Sequence, residues 1–161
     1  MMRRFTQALC QALFVACAAA SAAYGAAAPA PTAAMMAPID RIATFVNTGS
    51  AIAPGTYARA ATITDEFAPF QWTTGDVGLQ WSEGFTAYNA SVKITKPHFV
   101  LGTPTEYSSS ATRAYIVLPG TFTPLMDGKP FTETGFWTFV EVRDGAVWRV
   151  ASQTWAGVTF K

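Results

Sequence analysis

Residues 127–155 read DGKPFTETGFWTFVEVRDGAVWRVASQTW, and the two Asp-Gly pairs in this stretch decide the architecture. Asp-Gly favours a two-residue turn whose central residues both take φ > 0, and such turns join adjacent antiparallel strands. Asp127-Gly128 and Asp144-Gly145 therefore divide the C-terminal third into Thr112–Leu125, Pro130–Arg143 and Ala146–Phe160, a meander of three long strands. His98–Tyr107 reads as a further strand, turned into the first of these by Ser108-Ser109-Ser110. Strands of about 13 residues exceed the usual 5–6. Pro119-Gly120 and Gly135 suit bulges or bends in a strongly curved sheet.

Upstream the period changes. Val77, Trp81, Phe85, Tyr88 and Val92 recur at helical spacing and form an aromatic stripe. Thr74 or Asp76 can cap this helix. Such a stripe must face something broad and apolar, and the sheet is the one surface that fits. Ile39, Ile42 and Val46 mark one face of an earlier helix with Pro38 as its first residue. Tyr57–Ala61, opened by Pro54-Gly55, reads as a second short helix by its alanines. Ile63–Trp72 reads as extended, with Pro69 confining it to an edge or a bend. The expected fold is α+β: a cone made by a curved antiparallel sheet wrapped around three N-terminal helices.

The first residues carry a targeting pattern. Arg3 and Arg4 precede an apolar run, Ala8–Ala20, and small residues follow. The run is about 13 residues, short of the roughly 20 that span a membrane. Residues 1–25 are thus expected to be an export signal peptide, which places the domain in the periplasm or outside the cell. Phe14-Val15-Ala16-Cys17 outlines a lipoprotein box, with Phe14 where Leu is usual, so a lipid anchor on Cys17 is the alternative. Residues 26–37 form an Ala/Pro-rich stretch expected to be a disordered linker. Residues 38–161 then make one domain.

Both cysteines, Cys10 and Cys17, lie in the signal, which removes thiol catalysis, thiolate metal sites and disulfides from the domain. Without Arg3 and Arg4, nine basic residues face ten acidic ones, with no basic cluster, so nucleic acid is not an expected partner. His98 is the only histidine; no Gly-x-Ser-x-Gly elbow accompanies it, and no histidine-rich metal site can form. No metal and no cofactor is expected.

The element order resembles the nuclear transport factor 2-like superfamily and, within it, exported bacterial SnoaL-like proteins. Its carriers are Thr64–Trp72, Arg113–Pro119, Gly128-Lys129-Pro130, Glu133-Thr134-Gly135 and Val147–Val150 up to Trp155-Ala156. The resemblance implies a cone with an aromatic cavity. It also implies one of several uses: polyketide cyclase, ketosteroid isomerase, scytalone-type dehydratase, or a binding or assembly module.

Three positions are candidates for proton chemistry: Asp65 or its neighbour Glu66, Glu133 and His98. Asp65 and Glu66, being adjacent, should point to opposite faces if extended, so one can enter the cone. Glu133 shares parity with Gly135 and Trp137, with Arg113 or Arg149 as a duller cross-strand partner. His98 follows Pro97 at a strand start. The candidate ligand-binding set is Trp72, Tyr115, Glu133, Trp137, Gln153 and Trp155. Gln153 and Trp155 share the face of Glu133 and Trp137 if no bulge intervenes at Ala151-Ser152, which leaves Trp148 and Val150 outside. The Asn89-Ala90-Ser91 sequon reads as accidental. The expected function is binding of a small apolar molecule or assembly; the alternative is a cofactor-free isomerase, cyclase or dehydratase using a buried carboxylate. A homodimer through the outer sheet face, with Thr132, Thr134, Phe136, Thr138 and Val140 outward, completes the expectation.

Overall fold

The computed structural model describes residues 30–161. The expected signal, its cleavage site and Cys17 lie outside the described residues. Helix α1 covers Ala33–Thr48. It begins within the stretch expected as linker, because Thr32 caps it by accepting from the Met35 N–H and Gly49 closes it in a left-handed conformation at φ 69°. Pro38 consequently lies in the second turn rather than at the first helical position. Its buried face carries Met35, Ile39, Ile42, Phe45 and Val46.

Strand β1 (Tyr57–Thr64) replaces the expected second helix. Its three alanines, Ala58, Ala60 and Ala61, favour a helix only locally, and pairing with the last strand overrides them. The described residues thus hold two helices, not three. After β2 (Gln71–Trp72), helix α2 runs Val77–Ser91, capped by Asp76 through the Leu79 N–H. Then come β3 (Ile94–Thr95), β4 (Phe99–Leu101), β5 (Glu106–Ser109), β6 (Arg113–Phe122), β7 (Leu125–Met126), β8 (Lys129–Pro130), β9 (Glu133–Asp144) and β10 (Val147–Phe160). The expected His98–Tyr107 strand is two short pieces, β4 and β5, that both pair with β6.

The main sheet has the order β2-β1-β10-β9-β6-β4, with β5 also on β6; β3, β7 and β8 form a small second sheet. The β6, β9 and β10 meander is antiparallel, whereas β1 joins β10 in parallel. Asp127 and Gly128 both have positive φ, as expected of an Asp-Gly turn, but they close the short β7–β8 hairpin inserted between β6 and β9. At the β9–β10 turn only Gly145 is positive, at φ 62°, and Asp144 already pairs with Val147. Glycine alone at the first central position is the type II′ pattern.

Neither Pro119-Gly120 nor Gly135 forms a bulge. The β6–β9 ladder runs unbroken, with Pro119 opposite Phe136 and Gly120 opposite Gly135. The bulges are in β10, one between Val150 and Ser152 and one between Gly157 and Thr159. The first corrects the expected face of β10. Val150 pairs Glu141, Gln153 pairs Phe139, and the extra Ala151 keeps both halves of the strand facing inward. Trp148 and Val150 are therefore buried rather than outside.

Candidate functional site

The cone's cavity has a volume of about 160 Å³ and opens between α2, the β7–β8 hairpin and the C-terminal end of β10. Its floor is aromatic. Phe99 meets Trp137 edge-on at 4.9 Å, and Trp137 meets Trp155 edge-on at 6.2 Å. Gly120 and Gly135 make this floor possible. A Cβ on Gly120 would lie 2.6 Å from Phe99 and 2.9 Å from Trp155; one on Gly135 would lie 2.8 Å from Trp155 and run into the Ala156 carbonyl. The α2 stripe supplies Trp81, Phe85 and Tyr88, so the periodicity that marks the helix also marks a wall.

Three carboxyl groups face this aromatic space. Asp65 and Glu66 lie just past the end of β1, in a tight loop held by Asp65 N–H to Phe70 O at 3.1 Å and Phe70 N–H to Phe67 O at 2.8 Å. Because they are in a loop, the strict alternation of a strand does not apply, and both line the cavity. The Trp81 indole N–H donates to Asp65 Oδ2 at 2.8 Å, and the Glu66 N–H donates to Oδ1 at 2.8 Å. Burial pushes the Asp65 carboxyl up to about 6 against the lowering effect of these two bonds. Glu133, buried on the inner face of β9, accepts from the Trp155 indole at 2.5 Å. Burial first, and then the neighbouring Glu66 and Asp65 charges, push it up to about 7. Gly157 leaves space where Glu133 and Glu66 approach: a Cβ there would sit 2.6 Å from Glu133 Oε1 and 2.8 Å from Glu66 Oε2.

Of the expected site residues, Asp65, Glu133, Trp137 and Trp155 converge here. Four do not. Tyr115 has outward parity on β6 and is 43 % exposed. Trp72 packs on Phe67 at 5.3 Å and against Gly84, within the core beside α2. Gln153 is fully buried, accepts from the Tyr57 hydroxyl at 2.5 Å, and stands away from the cavity. His98 is exposed, and its carbonyl merely accepts from the Thr123 N–H at 2.8 Å. Among the described residues Glu133 has neither expected basic partner: Arg113 makes no ion pair, and Arg149 is engaged by Asp144 at 3.1 Å and by the Gly55 carbonyl.

One residue escapes the sequence reading and another is only half seen. Glu66 stands there as the alternative to Asp65, because an extended strand would let just one of the two enter the cone. Asn89 reads only as a chance sequon, yet it lines the cavity from α2 with its Oδ1 buried and unpartnered. Its position one residue beyond Tyr88 in the aromatic stripe is the signal that could have found it. Among the described residues no set of three or more His, Cys, Asp or Glu side chains is arranged to hold a metal ion, and no helix is long and apolar enough to cross a membrane.

No protein-family model and no curated protein matches the sequence. Solved structures do. A nuclear transport factor 2-like superfamily protein from Salmonella enterica superposes with a TM-score of 0.62 at 14 % identity, covering 77 % of this chain and 88 % of that one. The hexachlorocyclohexane dehydrochlorinase LinA-type3 from Novosphingobium barchaimii gives 0.68 at 12 %, covering 80 % and 87 %. The Kfla4162 protein from Kribbella flavida gives 0.63 at 16 %, covering 80 % and 91 %. At these identities the likeness is one of fold: the chain has the nuclear transport factor 2-like, SnoaL-like architecture.

Proposed function

We propose that the domain binds a compact, largely apolar molecule of single-ring size in the cone, with the ligand's polar group turned toward Asp65, Glu66 and Glu133. The observation that carries this reading is the set of carboxyl groups, two of them anchored by indole N–H groups, in an aromatic cavity of about 160 Å³. A cavity near 150 Å³ is roughly the size that takes up benzene, so the enclosed part of a ligand is about one ring. The LinA-type3 relative by fold is named for a compact apolar ring, hexachlorocyclohexane, which agrees with this scale. Fold alone carries no activity across such a distance. Trp137 and Trp155 form the floor, so fluorescence titration with cyclohexanone, on wild type and on Trp137→Phe and Trp155→Phe, tests the reading. Saturable quenching altered by either substitution supports it, and no response at millimolar ligand removes it.

A second reading is favoured by the carboxyl groups at about 6 and about 7. Groups that titrate near neutrality can exchange protons with a substrate without a cofactor. Asp65, the more acidic, would act as base, and Glu133 as the acid that protonates or polarises an oxygen. Deuterium exchange beside the cyclohexanone carbonyl, followed by NMR, decides between binding and proton transfer: Glu133→Gln should abolish enzymic exchange and preserve binding. Export through residues 1–25 and a two-fold dimer through the outer sheet face belong to the same proposal.

A further inference from the structure

Among the described residues the cavity is acidic and has no counter-charge. Asp65, Glu66 and Glu133 line it, while none of the described lysines, arginines or histidines does. Lys93 and Lys161, next in sequence to the lining residues Ile94 and Phe160, are exposed, and Lys93 donates to Asp127 at 2.8 Å. The indole N–H groups of Trp81 and Trp155 each engage one carboxylate oxygen and carry no net charge. Buried carboxylates without a cation are costly, and an opposite charge brought among them recovers much of that cost.

A second observation is independent of the acidic cluster. Trp137, only 3 % exposed and lining the same cavity, has its indole N–H buried without a partner, and Asn89 Oδ1 on the opposite wall is buried and unpartnered too. Buried polar atoms left open at a cavity wall mark where an occupant completes the hydrogen bonding. Asn89 Oδ1 calls for a donor, as the carboxylates do. The surrounding walls are ring faces and edges, the surface that receives an organic cation. Among the described residues no three acidic groups are close enough to ligate a metal ion.

We propose that the occupant is an organic cation, a protonated amine whose carbon skeleton is about one ring in size, with its ammonium group held by Asp65, Glu66 and Glu133. This rests on the binding reading above and names the charge of the ligand. The N–H donors reach the carboxylates and Asn89, the skeleton packs on Phe85 and Trp155, and a neutral oxygen on the ligand would satisfy Trp137.

Calorimetric titration at pH 8 with three probes of equal size tests the proposal: benzylamine, benzyl alcohol and benzoate. Benzylamine should bind about tenfold or more tighter than benzyl alcohol, and benzoate weaker than both. Glu133→Gln and, at the exposed rim, Glu66→Gln should each weaken benzylamine several-fold more than they weaken benzyl alcohol. Equal affinity for amine and alcohol, preference for benzoate, or benzylamine binding indifferent to both substitutions overturns the cationic assignment while leaving the pocket reading in place. Binding of none of the three overturns both.

Discussion

Glu141 lies on the inner face of β9 with no accessible surface, and neither carboxyl oxygen has a partner. Burial alone pushes it up from 4.5 to about 8. The folded state therefore keeps a proton that the unfolded chain releases above about 4.5. Stability is highest below that pH, falls as pH rises toward 8, and levels off beyond. Asp65 and Glu133 shift in the same direction and add to the slope. The melting temperature should thus be higher at pH 5 than at pH 8, and Glu141→Gln should flatten the difference. Glu141→Leu should raise stability at pH 8 by about 1–4 kcal/mol, as apolar replacements of costly buried charge can. Calorimetry across that range checks both. The inward face of Glu141 follows from its parity with Trp137, but its lack of any hydrogen-bond partner is not legible in the sequence. Glu133 was legible by the same parity. Tyr115 misled because aromatic character carries no sign of which face it occupies.

At the scale of elements, period and turn chemistry located α2, β6, β9 and β10 within a few residues of where they lie. Turn detail was less legible, since one Asp-Gly pair spans a hairpin's two central positions and the other only the first of them. Gly145 has open space around its missing Cβ, so Gly145→Val should lose about 1–3 kcal/mol through backbone strain alone. An unchanged melting temperature would contradict that turn geometry. The Ala151 bulge matters more. Deleting Ala151 would force the strand on one side of it to turn over, sending Trp148 and Val150, or Gln153 and Trp155, outward. The expected result is a chain that does not fold, read as loss of near-ultraviolet circular dichroism. Tyr57–Ala61 was misread because its alanines suggest a helix, while its partner strand is about ninety residues away.

For the whole molecule, the helices cover one side of the sheet and leave the other open. Tyr115 and Phe136, 43 % and 42 % exposed, lie on that outer side with Val100, 51 % exposed, near them on β4. We expect a dimer through this face, and Phe136→Glu should yield a monomer by light scattering without lowering the melting temperature by more than a few degrees. The cone was readable from element order, whereas the cavity's composition was not, because it joins loops, both helices and six strands that periodicity treats separately. The parallel seam between β1 and β10 also fixes a sequence of events. Ile63 meets Gln153, so the first strand joins the main sheet only once the last has formed. Contacts this distant in the chain make folding slow, on the order of milliseconds to seconds. Until residues 147–160 arrive, the edges of β1 and β9 that will flank β10 are unpaired and available to other chains. The final strand thus governs not only the shape of the cone but how long the polypeptide stays open during its making.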